Sequence, residues 1–125
     1  MMLRRDLLKE KLEEFFKENY QCFQKRHFVI DWSGFRGRDE DYYQFHLKST
    51  ISKVEMNFLF WFVPEPDELS ITYSCFERLA KDEIKYIFKN ELNLGRFKGL
   101  GMKEKMMFLF EQVDSDLATH LDKVQ

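Results

Sequence analysis

The stretch from Val54 to Cys75 constrains the fold of this chain more than any other part of the sequence. Apolar side chains occupy every even position of Val54–Val63, and the side chains of a β-strand alternate between its two faces. Leu69–Cys75 alternates in the same way with serine and threonine. Between them, Pro64–Glu68 holds two prolines and three carboxylates, which end a strand and favour a solvated turn. The pattern predicts a β-hairpin at the centre of a single sheet.

Size and composition predict one folded domain over residues 1–125. Of the 125 residues, 44% are hydrophobic and 34% are charged, a balance that argues against a disordered chain. The 14 phenylalanines are unusual, so either the core is rich in aromatic rings or some rings face a partner. The net charge of −2 removes the general electrostatic argument for nucleic-acid binding, although local basic patches remain.

The sequence predicts a soluble, cytoplasmic protein without a metal or a cofactor. No apolar run approaches the roughly 18 residues that a membrane span needs. Residues 1–6 lead into an amphipathic pattern rather than into the apolar core of a signal peptide. Cys22 and Cys75 match no metal-ligand spacing, so both are expected to be buried or half-buried thiols rather than a disulfide.

The spacing of apolar residues divides the part of the chain before the central hairpin into one helix and two strands. Leu3–Asn19 has apolar residues at helical spacing, which predicts a surface helix with one buried stripe. Phe23–Trp32 and Tyr42–Lys48 are predicted to be the first and second strands. Together with the hairpin they make four consecutive strands with short links, and such strands form an antiparallel meander.

The part of the chain after the hairpin is predicted to be helical. Ser74 and Glu77 have the spacing of a capping box, and the apolar positions from Phe76 predict a helix that ends near Leu92. A last helix follows Gly101, with a possible break at 114–116. The predicted fold class is therefore α+β, with an N-terminal helix, a four-stranded antiparallel meander, and two or three C-terminal helices packed on one face.

Charged loops around one aromatic residue are the first candidate for a partner-binding surface. Phe35 lies between Gly34 and Arg36, and this chemistry suits either an anchor at a protein interface or a ring that stacks on a base. Equally, the loop could fold Phe35 back onto the sheet. Acidic clusters occur at residues 39–41, at residues 65–68 and at Asp114/Asp116, and two of them would attract a basic partner if they shared one face. The predicted partner-binding residues are Phe35, Arg36, Arg38, Asp39, Glu40, Asp41, Glu65, Asp67 and Glu68.

A basic, glycine-rich segment at Gly95–Gly101 is the second candidate. Glycines before a helix let backbone N–H groups approach an anion, and the helix N-terminus adds a favourable dipole. The simpler interpretation is a glycine C-cap, which ends the preceding helix, followed by a helix start with exposed lysines. The predicted phosphate or nucleic-acid contacts are Arg96, Lys98, Lys103 and Lys105.

The hexapeptide Arg96-Phe97-Lys98-Gly99-Leu100-Gly101 resembles the Arg-Tyr-Lys-Gly-Leu-Gly signature near the end of the metal-binding domain of bacterial type IIA topoisomerase B subunits. The resemblance implies that Lys98 contacts a nucleic-acid phosphate. It covers six of the 125 residues and ends at Met102, where that family has glutamate. The acidic metal motifs of the family are absent from the sequence, so the resemblance is interpreted as local convergence.

The sequence contains no recognisable catalytic motif. It has no nucleophile elbow, Walker loop or paired metal-binding histidines. His46 is predicted on the polar side of its strand, where a meeting with His27 and either Asp31 or Glu55 would form an acid–base set. Surface histidines are the favoured interpretation, also for His120, and no catalytic residue is predicted.

These observations favour a small, non-enzymatic binding protein. The leading hypothesis is an inhibitor, immunity-type or antitoxin protein that neutralises a partner, such as a basic toxin or nuclease, by occluding its active site. An alternative is a nucleic-acid or phosphate-binding module that uses the basic loop Gly95–Gly101. A further alternative is a dimeric chaperone of the secretion type. No membrane partner is predicted.

Overall fold

Five strands follow one another in one antiparallel sheet, with helices before and after them. The computed structural model describes residues 4–39, 41–63, 68–96 and 101–122. The sheet order is the sequence order, so each strand pairs with its neighbours in the chain. The elements are α1 (Arg4–Glu18), α2 (Gln21–Gln24), β1 (Phe28–Arg36), β2 (Tyr42–Ser49), β3 (Val54–Val63), β4 (Glu68–Ala80), β5 (Glu83–Arg96), α3 (Met102–Asp116) and a π-helical turn (Leu117–Leu121).

The predicted hairpin does lie at the centre of the sheet. Phe58 of β3 pairs with Phe45 of β2 on one side and with Tyr73 of β4 on the other. Residues 64–67 of the predicted turn lie outside the described residues, and Glu68 is the first residue of β4. The α+β class and the antiparallel meander are confirmed.

The predicted helix over Phe76–Leu92 is wrong, because this segment belongs to a second long hairpin. β4 continues to Ala80, the chain reverses, and β5 pairs back along β4 from Glu83 onward. Ser74 does not cap a helix, since it is a strand residue paired with Lys89. The sheet therefore has five strands rather than four.

Two β-bulges explain why this hairpin has the pattern of a helix. One of them leaves Leu79 as an extra residue in β4. Cys75 pairs with Phe88 and Phe76 pairs with Tyr86, so Ile87 is an extra residue in β5. An extra residue inverts the alternation of the strand beyond it. Apolar positions from the two faces then follow at intervals of three and four, which imitates the stripe of an amphipathic helix.

Further boundaries also differ from the prediction. Phe23 belongs to α2, and β1 runs from Phe28 to Arg36 instead of ending at Trp32. In place of two or three C-terminal helices, the described residues form α3 and the π-helical turn that continues it. Asp116 keeps a helical backbone (φ −65°, ψ −40°) and makes no capping bond, so no new helix starts there.

Phenylalanine rings fill the space between the sheet and the helices. Phe16 of α1 stacks on Phe45 with ring centroids 3.9 Å apart, and Phe58 meets Phe16 edge-on at 5.4 Å. Phe23 of α2 and Phe110 of α3 lie 5.2 Å from each other beside the same rings. All five rings are almost completely buried. The aromatic core therefore joins all three helices to one face of the sheet, here called the covered face.

Hydrogen bonds and ion pairs connect the C-terminal helix α3 to the sheet and to the segment after α2. The hydroxyl of Tyr73 donates to Oδ2 of Asp116 at 2.6 Å. Burial, together with this bond to a carboxylate, raises the pKa of Tyr73, so the phenol stays neutral and remains a donor. Arg26, which follows α2, binds Oδ1 of Asp114 at 2.6 Å and Oδ2 of Asp122 at 3.0 Å. These contacts hold α3 and its π-helical turn on the covered face.

Both cysteines are free thiols, as the sequence predicts. Cys22 is half-buried in α2 and Cys75 is buried in β4. Burial raises the pKa of Cys22 to about 11 and the pKa of Cys75 to about 12. Both thiols are therefore protonated and weakly nucleophilic at neutral pH.

Candidate binding surface on the open face of the sheet

The face of the sheet opposite the helices, here called the open face, is covered by no helix among the described residues. Because side chains alternate, the strand positions that do not enter the core point to this side. Pairing across the strands joins these positions into rows. One row contains Trp32, His46, Asn57, Ser74 and Lys89, and another contains Arg36, Tyr42, Trp61, Ser70 and Asn93.

A buried polar network surrounds His46 on the open face. Nε2 of His46 lies 2.8 Å from Oε1 of Glu55, and Nδ1 lies 2.6 Å from Oδ1 of Asn57. Arg78 donates Nε–H to the second carboxylate oxygen of Glu55, and Gln44 donates to Asn57 at 2.7 Å. His46 is 7% exposed and Glu55 is 5% exposed. Polar groups this deeply buried are tolerated because each has a partner.

Aromatic side chains shield this network in place of a helix. Trp32 stacks on His46 with ring centroids 5.9 Å apart, and Phe76 lies 6.5 Å from the same imidazole. The guanidinium of Arg36 lies 4.2 Å from the centre of the Trp32 ring. Gly34 separates these two residues in β1, and no atom lies within 4 Å of the place where its Cβ would stand. The space beside Gly34 on this face is therefore open.

The electrostatics of the network favour a structural role. Burial would raise the pKa of Glu55, but the hydrogen bond and charge of Arg78, together with those of His46, lower the pKa below its ordinary value. Glu55 is therefore ionised at neutral pH. Its two oxygens and the two nitrogens of His46 are all occupied by protein partners. The arrangement holds β2, β3 and β4 in register and offers a substrate no unoccupied acid or base.

The interpretation of His46 as a surface histidine is wrong. It meets Glu55, which was one of the partners considered from the sequence, but it does not meet His27. His27 is exposed and has a left-handed backbone (φ 66°) before β1 begins. His120 is also exposed and stacks on Phe88 at 5.7 Å, away from the open face. The three histidines lie apart, so they form no joint acid–base set.

An aromatic pair lies at the other end of the open face. Tyr42 and Trp61 are directly opposite each other on β2 and β3, and their ring centroids are 4.4 Å apart. Both rings are partly exposed, as is Leu59, the preceding open-face residue of β3. With Trp32 and Arg36, the pair gives this face the residue types that are enriched at protein interfaces.

The described acidic residues of the predicted site lie at the same end of the sheet as this aromatic pair. The end of the sheet where β1 and β3 end and where β2 and β4 begin is here called the turn end. Asp39 and Asp41 are exposed there, and Glu68 is half-buried and accepts a hydrogen bond from Asn93 at 3.0 Å. The other predicted acids, Glu40, Glu65 and Asp67, lie outside the described residues.

The aromatic and basic members of the predicted site divide between the two faces. Phe35 packs against the edge of the core, with its ring edge-on to Tyr43 at 5.1 Å. This is the alternative in which the loop folds Phe35 back onto the sheet. Arg36 extends over the open face, and Arg38 is exposed in the turn. Their role in partner binding stays a prediction.

The basic segment begins at the turn end. Arg96 is the last residue of β5, and Lys98 lies outside the described residues together with the rest of 97–100. Gly101 has a φ of 97° and precedes α3, so the predicted helix start is confirmed. The glycine C-cap is wrong, because Gly95 lies in β5 and no helix ends there. In the first turn of α3, Lys103 is exposed and Lys105 is half-buried. A phosphate site formed by these residues stays a prediction.

Sequence reasoning missed the network on the open face, although part of its signal was present. Glu55 and Asn57 mark the polar half of β3, and His46 occupies the polar side of β2. Pairing these strands with His46 opposite Asn57 would have brought the groups together. Arg78 had no such signal, because its segment was assigned to a helix.

The described part of the chain contains neither a metal-binding cluster nor a membrane-spanning helix. Within the residues that the structure describes, no group of three or more His, Cys, Asp or Glu side chains is placed to hold a metal ion. The helices of this part of the chain are too short or too polar to cross a membrane. The chain matches no family model, no curated protein and no solved structure.

Proposed function

We propose that this chain is a small binding protein of the inhibitor or immunity type, and that it holds a partner protein against the turn end of its open face. The observation that carries the proposal is the Tyr42–Trp61 pair. Both rings are partly exposed on the open face, which none of the described helices covers. Tyrosine, tryptophan and arginine supply most of the binding energy at protein interfaces, usually from the centre of the contact.

The charge of the turn end favours a basic partner. Residues 36–41 contain two arginines and three carboxylates, and residues 65–68 contain three carboxylates and no basic residue. Of these carboxylates, Asp39 and Asp41 are exposed and Glu68 is half-buried at the turn end, which also carries the aromatic pair. An acidic rim complements a basic surface and increases the rate of encounter. A basic toxin or nuclease whose active site is occluded fits this chemistry.

The polar network supports the proposal because it makes the open face rigid. Asn57 lies two residues before Leu59 in β3, so the same strand carries both the network and the exposed apolar positions. Strands held in register lose little conformational entropy on binding, and a preorganised surface binds more tightly for the same contacts.

Affinity capture followed by calorimetry tests the proposal. The full chain is used to isolate a stoichiometric protein partner from the native host, and the affinity is measured by titration. Trp61→Ala is expected to weaken binding by about 10-fold or more, as hot-spot truncations do. Phe108→Ala is the matched control, because Phe108 is 50% exposed on α3, away from the open face.

Two results would count against the proposal. One is the absence of any stoichiometric protein partner. The other is a partner whose affinity falls with Phe108→Ala and is unchanged with Trp61→Ala. Unfolding curves of both variants establish that neither substitution acts through stability.

A nucleic-acid module is the second candidate, and the stacked pair of Trp32 and Arg36 favours it. Exposed aromatic rings on a sheet, with arginines beside them, also suit unstacked bases and their phosphates. Saturable binding of a labelled single-stranded oligonucleotide at about 50 mM salt, weakening as salt rises, would favour this candidate. A dimeric mass by light scattering would instead favour the chaperone alternative.

A further inference from the structure

A pocket of about 340 Å³ opens at the end of the sheet opposite the turn end. The turn between β2 and β3 forms one side, and β4 forms the other where it continues past its last pairing with β3 at Glu77. The lining residues that matter here are Lys48, Ser49, Ser52, Lys53, Arg78 and Leu79. This pocket is separate from the surface assigned to a protein partner.

Positive charge dominates the lining of the pocket. Lys48, Lys53 and Arg78 line it. Glu55 is the one carboxylate among the lining residues, and its oxygens already face Arg78 and His46. Nζ of Lys48 lies 3.8 Å from Oδ2 of Asp31, whereas Lys53 has no ion-pair partner among the described residues.

The serine hydroxyls of the turn keep O–H donors for a ligand. Oγ of Ser49 accepts the N–H groups of Ile51 and Ser52 at 3.2 and 3.1 Å. Oγ of Ser52 accepts the N–H of Val54 at 3.3 Å. A hydroxyl whose oxygen already accepts keeps its own O–H to donate. The polar capacity left at the pocket therefore calls for a ligand rich in acceptors.

Hydrogen bonds hold the guanidinium of Arg78 in place, and two of its N–H groups remain free to donate. Nε–H and one Nη2–H bind Glu55, and one Nη1–H donates to the carbonyl of Lys81 at 2.7 Å. A guanidinium has five N–H donors, so two remain. A fixed arginine with unused donors is well suited to recognise a carboxylate or a phosphate.

We propose that this pocket binds a small organic anion, with a carboxylate or phosphate group against Lys48, Lys53 and Arg78 and a short apolar body against Leu79. Leu79 is 46% exposed on the pocket wall, which gives an apolar group a place to pack. The volume of about 340 Å³ lies at the lower end of the range for small-molecule sites.

Amide NMR of the ¹⁵N-labelled full chain tests the proposal with inorganic phosphate and, in a second titration, succinate. Ionic strength is held constant with chloride. We expect saturable shifts in residues 48–54 and 78–80 in the millimolar range with at least one of the two anions. The anion that saturates identifies whether phosphate or carboxylate is the preferred group.

Matched charge variants decide whether the shifts come from the pocket. The Lys48→Gln/Lys53→Gln double variant is expected to weaken anion binding by about 10-fold, because both ammonium groups are lost. The Lys85→Gln/Lys89→Gln variant removes the same charge from β5 and should leave binding unchanged. The proposal is overturned if neither anion saturates, if chloride reproduces the shifts, or if both variants respond alike.

Discussion

The covered face and the open face are built from the same strands, yet they exclude water in different ways. On β3, Phe58 is fully buried under helices that contribute Phe16 and Phe110. Its neighbour Asn57 points to the other side, into hydrogen bonds with His46. The covered face is closed by another layer of the fold. On the open face, only the centre is shielded from water, and the shielding side chains belong to the sheet itself.

This difference teaches that the two faces serve stability and recognition separately. Burying aromatic rings contributes free energy in proportion to the area removed from water. A buried ion pair contributes less, since desolvation offsets much of the attraction, but it fixes a particular geometry when every group has a partner. We infer that the covered face supplies most of the stability and that the open face supplies a defined surface.

The largest effect is expected from the covered face. Phe58→Ala should lower the free energy of unfolding by about 3–5 kcal/mol, because it leaves a cavity among buried rings. Leu59→Ala, one residue away on the open face, should cost about 1 kcal/mol, because the leucine is only half-buried. Urea unfolding followed by circular dichroism measures both, and equal losses would remove the distinction between the faces.

Breaking the network on the open face should have the next largest effect. Arg78→Met should cost about 2–3 kcal/mol, because it leaves the buried charge of Glu55 without its main partner. This is less than for a fully buried pair, since the Arg78 side chain is 36% exposed. The Glu55→Gln/Arg78→Met double variant should be more stable than Arg78→Met in the same urea experiment. A double variant that loses the full sum of both single effects would contradict the coupling.

Acid should weaken the open face specifically. The pKa of Glu55 in the folded protein is lowered from 4.5, so this carboxylate contributes stability above its ordinary pKa and loses it as pH falls through the folded value. The stability advantage of the native chain over Glu55→Gln should therefore narrow between about pH 6 and pH 3. Thermal unfolding of both proteins measures the difference, and parallel curves would show that Glu55 is not stabilised as described.

Thiol reactivity compares the two faces with the least disturbance of the fold. The covered face holds Cys75, whose pKa is raised by burial to about 12, and Thr72 lies three residues earlier on the open face. In Thr72→Cys, the new thiol should react with a disulfide reagent near pH 8 at least roughly 100-fold faster than Cys75, because its thiolate is more populated and accessible. Peptide mass spectrometry separates the two sites. Equal rates would mean that the covered face opens readily.

The sequence predicted the centre of the fold because the alternation of β3 is regular. It failed at β5, where the extra residue Ile87 shifts the alternation into the spacing of a helix. Local periodicity cannot distinguish these cases, since pairing with β4 is what stabilises the strand. Without the extra residue, the alternation of β5 would have predicted a strand.

The candidate surface was predictable in part. A meander places the start of its second strand and the start of its fourth strand at one end of the sheet, and this much follows from the predicted topology. Whether the acidic clusters share one face did not follow from the sequence. The sequence did not give the register between β2 and β3. Without that register, the contacts of His46 with Asn57 and Glu55 could not be predicted. The orientation of Phe35 was an open alternative, because a residue at the end of a strand can point to either face. A single domain over 1–125 stays a prediction.

The most direct test of the account uses the two tryptophans, because Trp32 and Trp61 both lie on the open face. Their indole N–H signals in an NMR spectrum report on that face and not on the helices. When a stoichiometric partner protein is added, we expect both indole signals to shift while the amides of Met107 and Phe108 on α3 keep their positions. Shifts in α3 with unchanged indole signals would contradict the claim that the open face is the binding surface.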